Sequence, residues 1–182
     1  DNISITPPPL QKPRPQIWLG ANTEAGTRRA ARIGDGFLGA NKLPMMKVYR
    51  DALREFKGPD AVPKISRTVI MYVAEDPDRE WFHVKDHFLY RHRLYFQWLT
   101  EAGLTNPQWT SMGDITDPNK LRELDPTIIC DVETAIKLVR EYLQVEGVTE
   151  LSFLMEPPGA NPQLTIRSME LFSQKVMPHF QD

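Results

Sequence analysis

The sequence predicts an α/β fold made of consecutive parallel strand–helix units, and three observations carry the prediction. Short apolar runs alternate four times with helix-length segments along the 182 residues. Two of those segments show full amphipathic stripes at helical spacing: Met45, Val48, Tyr49, Ala52, Leu53 and Phe56 in one, and Val132, Ala135, Ile136, Val139, Tyr142 and Leu143 in the other. The third apolar run, Thr68–Val73, is apolar on successive positions rather than alternate ones, the pattern of a strand covered on both faces. Strands separated by helices pair in parallel through right-handed crossovers. Four such units make either a small open sheet or half of an eight-stranded (β/α)8 barrel of the TIM type, which takes about 250 residues.

The elements follow in order. Residues 1–16, with Pro7, Pro8, Pro9, Pro13 and Pro15, read as an extended, proline-stiffened lead-in. Ile17–Ala21 is a buried strand by its length and flanks. Thr23 caps a helix over 24–33, with Glu24 favourably placed in its first turn and Gly34 as its stop. Residues 35–40 form a second strand. The stripe from Met45 to Phe56 is a helix ended by Gly58-Pro59. The third strand lies within 64–74, around Thr68–Val73. Residues 78–102 read as a long helix and 103–127 as a polar, loop-rich excursion. Asp131 caps the next helix and Gly147 lies just beyond it. Leu151–Met155 is the fourth strand, Pro157-Pro158-Gly159 a turn, and Asn161-Pro162 opens a last helix running to about Val176. The whole of 1–182 is expected to form a single domain.

Composition excludes several classes. With 22 basic and 24 acidic side chains, nothing favours nucleic acid or an anionic membrane surface. No apolar run approaches the roughly 20 residues that span a bilayer, and no charged-then-apolar leader is present. One cysteine, Cys130, excludes an internal disulfide framework or a cysteine-rich zinc site. It suits a reducing compartment, and a cytoplasmic location is expected. Asp1 rather than Met in first place reads as a processed or partial product.

The segment Gly20-Ala21-Asn22-Thr23 joins a strand to a helix. A helix N-terminus presents unpaired N–H groups and partial positive charge, which suit an anion. Gly20 and Ala21 let backbone come close, Asn22 and Thr23 add donors, and Gly26 keeps the first turn unobstructed. The plainer reading is an ordinary strand–helix junction with Thr23 as cap. Asp35-Gly36 either orients a ligand or serves turn chemistry. His83 and His87 stand four residues apart, but His92 falls off their face and no acidic cluster joins them, so no metal site is expected. The aromatics Trp81, Phe82, Phe88, Tyr90, Tyr95, Phe96 and Trp98 are too many for one core stripe. They suit a helix packed on the barrel, a dimer interface or a cover over an active-site mouth. Cys130 precedes a helix start, where a thiol pKa can fall; a buried inert cysteine is the alternative. Glu156 follows the fourth strand, a place for catalytic groups in barrels and equally for a solvated charge.

The stretches Pro15-Gln16-Ile17-Trp18-Leu19-Gly20-Ala21-Asn22-Thr23 and Arg28-Arg29-Ala30-Ala31-Arg32-Ile33-Gly34-Asp35-Gly36-Phe37 resemble the bacterial-luciferase-like monooxygenase family. There such a motif opens the second half of a (β/α)8 barrel. Tyr72–Asp76, the aromatic stretch from His87 to Trp98 and the ending from Glu170 to Pro178 fit the same family. The usual second glycine is Ala21 here, and the family's strands one to four have no counterpart. The resemblance implies strands five to eight of a barrel, belonging to a flavin- or deazaflavin-dependent oxidoreductase or monooxygenase acting on a small organic substrate. It implies that Gly20, Ala21, Asn22, Thr23 and Gly26 hold the phosphate of FMN, or alternatively a deazaflavin coenzyme. No catalytic acid or base is assigned, because reactive-face residues would come largely from the other half. The expected partner is another copy or a complementary half-barrel. The rival expectation is a non-catalytic truncated paralogue that binds flavin or a partner subunit without turnover.

Overall fold

The structure is a computed structural model that describes residues 6–39, 43–103, 115–125 and 127–180. The chain divides into two compact units, one of residues 1–68 and 143–152, the other of residues 69–142 and 153–182.

In the first unit, β1 (Trp18–Gly20), α1 (Glu24–Ile33), β2 (Gly36–Gly39) and α2 (Leu43–Lys57) follow in order. They are completed by the start of β3 (Ile65–Ile70) and most of β4 (Val148–Leu154). The strands lie in the order β1-β2-β3-β4, and the β1–β2 and β2–β3 pairs are parallel, as the strand–helix alternation requires. Trp18 stands opposite Gly36 in the register. A Cβ at Gly36 would lie 2.4 Å from the indole, so only glycine lets the ring lie there. Asp35 Oδ2 accepts from Ile17 N–H at 2.7 Å, and its carboxylate also pairs with Arg14. Asp35 therefore ties the lead-in to the head of β1 rather than serving only its own turn.

The first unit's core is Ala30, Ala31, Phe37, Met46, Tyr49, Ala52 and Ile65, all buried. The small pair Ala30–Ala31 brings α1 close, and Phe37 stacks on Tyr49 with ring centroids 5.0 Å apart. Arg28 bridges to Glu55 of α2 at 2.7 Å, an exposed pair worth about 0–1 kcal/mol. Gly147 takes φ +83°, the left-handed conformation that glycine tolerates, and its carbonyl accepts from Ile65 N–H at 2.8 Å.

The second unit holds α3 (Pro77–Glu101), α4 (Pro118–Leu124), α5 (Val132–Leu143), α6 (Pro162–Leu171), a π-turn (Phe172–Val176) and a closing 3-10 turn (Met177–Phe180). Asp76, Asp117 and Asn161 each cap a helix that has proline in its first turn. Asp131 Oδ1 accepts from Thr134 N–H at 2.7 Å and starts α5, as expected. Buried Tyr72, Trp81, Val84, Phe88, Leu121, Ile128 and Ile129 form this unit's core.

Three expectations are refined. The third strand spans Ile65–Ile70, inside the expected 64–74 but three residues before its expected centre at Thr68–Val73. Beyond Ile70, Met71 N–H donates to Leu154 O at 3.3 Å, and the next residues pair with Cys130: Cys130 N–H donates to Tyr72 O and Ala74 N–H to Cys130 O, both at 2.9 Å. The loop-rich excursion expected over 103–127 includes α4 on the Asp117-Pro118 start, and residues 104–114 lie outside the described residues. The fourth strand starts three residues earlier than Leu151 and ends at Leu154, leaving Met155 outside it.

Candidate functional site

The turn from Gly20 to Gly26 lies at the C-terminal end of β1, in the first unit. Thr23 is extended, with φ −123°, and its Oγ1 accepts from Gly26 N–H at 3.2 Å. As an acceptor, that hydroxyl keeps its own proton for a further partner. Gly20, Asn22 and Thr23 are exposed, and Ala21 and Gly26 are half-buried. The five residues singled out in the sequence are thus contiguous around one helix start. Gly26 has a tighter reason than an open first turn: a Cβ there would lie 2.9 Å from Ala21 Cβ and 3.2 Å from Thr23 Oγ1. Gly20 has room by contrast, since its Cβ would meet nothing nearer than Leu38 at 3.8 Å. What the turn offers is backbone N–H groups of the first turn of α1, a hydroxyl donor and an amide. That donor set fits a phosphate; Glu24, exposed in the same first turn, is its one local acid and weakens the attraction.

Asp35 lies one element away and does not join the turn. The Arg14 guanidinium, then the Ile17 N–H, holds its carboxyl down at about 2. Its oxygens are committed to the lead-in and to β1, which leaves the ligand-orienting reading without support.

The second unit contains a cavity of about 300 Å³ that sequence reasoning missed. Its floor is Tyr72, Val73 and Ala74, and its sides are the first turns of α3 and one face of α6. Ser168 Oγ accepts from Val73 N–H at 2.9 Å, and the Tyr72 hydroxyl donates to Glu80 Oε1 at 3.3 Å. Burial, then the Glu80 charge, raises the Tyr72 phenol. The cavity is lined by Glu75, Asp76, Glu80 and Glu170 against Arg79 and Arg167, a mixture that selects neither an anion nor a cation. Only the fold brings these groups together, since they lie some ninety positions apart in the sequence.

The remaining candidates fall elsewhere. His83 lines that cavity, while His87 Nδ1 lies 3.0 Å from Pro158 O, so in the neutral ring it carries the proton. Among the described residues no three histidine, cysteine or acidic side chains gather as a metal set. Cys130 is buried, and burial, then Asp131, pushes its thiol up to about 12, the inert alternative. Glu156 is exposed. Trp81 and Phe88 of the aromatic stretch are core, whereas Phe82, Tyr90, Tyr95 and Trp98 are exposed. No described helix is long and apolar enough to cross a membrane.

A family model described as luciferase-like monooxygenase matches residues 1–123. Among solved structures, the chain is similar to a monooxygenase, RslO1, from Streptomyces bottropensis, with TM-score 0.66 and 17% identity over 94% of this chain and 50% of that one. It is also similar to the coenzyme F420-dependent tetrahydromethanopterin reductase from Methanopyrus kandleri, with TM-score 0.54 and 18% identity over 91% of this chain and 51% of that one. An F420-dependent secondary alcohol dehydrogenase, solved with an F420–acetone adduct, gives TM-score 0.59 and 12% identity over 94% and 50%. At these identities the likeness is one of fold, and the chain spans about half the length of each structure. None of the curated proteins matches the sequence.

Proposed function

The chain belongs to the luciferase-like monooxygenase family, and from that premise we propose that it is the cofactor-phosphate-holding half of a flavin- or deazaflavin-dependent oxidoreductase. The observation that carries the reading is the capped, glycine-lined helix start at Gly20–Gly26, whose donor set fits a phosphate. Gly20 and Ala21 let the ligand approach. Asn22 and Thr23 donate to it, and the first turn of α1 supplies backbone N–H groups. FMN is the first choice of cofactor and a deazaflavin such as F420 the alternative, which the likeness to two F420-dependent enzymes supports. Bound there, the cofactor would supply redox chemistry toward a small organic substrate. This chain's contribution is to anchor it, orient it and keep water from one side.

The test is Thr23→Ala, titrated with FMN and with F420 in parallel. Losing one hydrogen bond to a charged phosphate weakens binding by about 1.5–3 kcal/mol, or roughly 10- to 150-fold. Thr23→Ser keeps the hydroxyl and should keep the affinity. Riboflavin, which lacks the phosphate, should be indifferent to both substitutions. A folded Thr23→Ala variant with unchanged FMN and F420 affinity removes the turn from consideration.

A second reading, cofactor or partner binding without turnover by this chain alone, is favoured by the open sheet face. Leu38, adjacent to Gly20 in the β1–β2 register, is 45% exposed on the side opposite Phe37 and the helices. Such a face suits a complementary half-barrel, supplied by the same polypeptide, a second chain or another copy. Flavin turnover that appears only when the missing half is added supports this reading, and turnover by residues 1–182 alone refutes it.

A further inference from the structure

The cavity beside Tyr72 has a buried floor and a charged rim. Two hydroxyls lie at the floor, with Tyr72 1% and Ser168 2% exposed. Tyr72 gives its proton to Glu80 Oε1 at 3.3 Å. Ser168 Oγ already accepts from Val73 N–H at 2.9 Å, so its own proton is left to donate, and no described acceptor takes it. Val73, Ala74, Leu164 and Leu171 supply the apolar part of the wall. At about 300 Å³ the space is at the small end for a ligand site and takes one small molecule.

The charges around it are held apart rather than paired. Glu80 comes from the start of α3 and Arg167 from α6. Burial and the Glu80 charge raise the Tyr72 phenol and the Arg167 guanidinium opposes them, so both charges act on one hydroxyl. Yet Arg167 makes no ion pair among the described residues, with Glu80 or with any other acid. Arg79, Glu75 and Glu170 at the rim make none either. An acid and a base that line one small space without closing on each other leave room for a molecule carrying both charges. A lone anion would meet the carboxylates, and a lone cation the guanidiniums. A zwitterion answers each with its opposite.

We infer that this cavity binds a small zwitterion, an α-amino acid with an aliphatic side chain. Its carboxylate lies against Arg167 and the Ser168 hydroxyl, neighbours on α6. Its ammonium, on the same carbon, lies against Glu80, whose second oxygen is left over from the bond with Tyr72. Its side chain packs on Leu164, Leu171 and Val73. The inference is independent of the cofactor reading, because no residue of the phosphate turn lines the cavity.

The experiment follows the backbone amide signals of the isotope-labelled full chain by NMR while L-leucine is added. At about pH 7 leucine carries both charges, and a titration from about 10 μM to about 10 mM covers the affinity expected of so small a ligand. Saturable shifts confined to the amides around Val73, Glu80 and Ser168 are expected. Isoamylamine, with the ammonium alone, and isocaproate, with the carboxylate alone, should bind at least about tenfold more weakly. Arg167→Gln and Glu80→Gln each remove one charge and should each weaken leucine by about tenfold or more. Glu80→Gln keeps an oxygen for the Tyr72 hydroxyl, and Arg167→Lys keeps a cation and should restore most of the affinity. The dispersion of the amide spectrum checks that each variant is folded; where one is not, the comparison of leucine with its two single-charge analogues on the unaltered chain decides alone. No saturable shift with leucine, equal binding of either analogue, or leucine binding indifferent to both charge removals in folded variants overturns the inference.

Discussion

Ala21 and Gly26 compete for one small volume, and the competition is measurable. A methyl added at Gly26 would stand 2.9 Å from Ala21 Cβ, closer than real Cβ atoms approach, and 3.2 Å from Thr23 Oγ1. Neither neighbour is the loose end of a long side chain, so backbone must move. Overpacking of this kind costs about 1–3 kcal/mol. Against it stands the better helix propensity of alanine, at most about 1 kcal/mol. Gly26→Ala should therefore destabilise the chain by about 0–2 kcal/mol, a fall in Tm of up to several degrees at about 2–4 °C per kcal/mol for this size. Ala21→Gly removes the opposing methyl. In the double variant the propensity gain survives and the clash does not, so the two changes should couple favourably by about 1–2 kcal/mol. Urea unfolding of the four proteins measures the cycle. Additivity within about 0.5 kcal/mol would show that the methyls do not meet and that the glycine has another cause. If the coupling is found, it also accounts for alanine where the family has a second glycine: the turn holds one methyl at this crossing, and Ala21 supplies it.

Two further outcomes are expected. The Asp35 carboxyl is held at about 2 in the folded chain against an ordinary 3.8, so it binds its proton more weakly folded than unfolded. The stability it lends is complete above about pH 4 and is lost as pH falls from about 4 toward 2. Asp35→Asn should flatten the acid limb of stability against pH in that window while leaving its form at neutral pH unchanged; a limb that keeps its full slope in the variant would refute the assignment. The Cys130 thiol, pushed up to about 12 by burial, should ignore a disulfide reagent at pH 8 in the folded chain and react at once in denaturant, and prompt labelling of the native protein would show that it is not enclosed.

What the sequence disclosed was what short stretches decide by themselves. The Thr23 cap, the stops at Gly34 and Gly58, the Asp131 start and the stripes of α2 and α5 are local chemistry, and the structure has them where spacing puts them. The third strand lies within the expected 64–74 but earlier than its expected centre, because periodicity cannot tell one continuous apolar run from two pairings in succession. Ile65–Ile70 belongs to the sheet, while Tyr72–Ala74 bonds to Cys130. α4 was missed because seven residues carry no stripe, although Asp117 before Pro118 is a legible helix start. The cavity beside Tyr72 had no signature, because its walls are brought together only when α6 packs beside the start of α3.

The pairing at Cys130 also explains how a long excursion can coexist with a regular sheet. The chain leaves the line of β3 at Ala74, builds α3 and α4, and returns to the same backbone. Thr127 Oγ1 donates to Ile70 O at 2.7 Å, and Val73 bridges to Cys130 in parallel. Exit and return are thus fastened to one stretch, and the described residues between them add no strand to the sheet. The excursion is held to its own unit by Trp81, whose indole N–H donates to Asn119 Oδ1 at 2.9 Å, and by Arg122, which pairs with Asp78 at 2.8 Å. Those ties involve the first turns of α3, near Asp78 and Trp81.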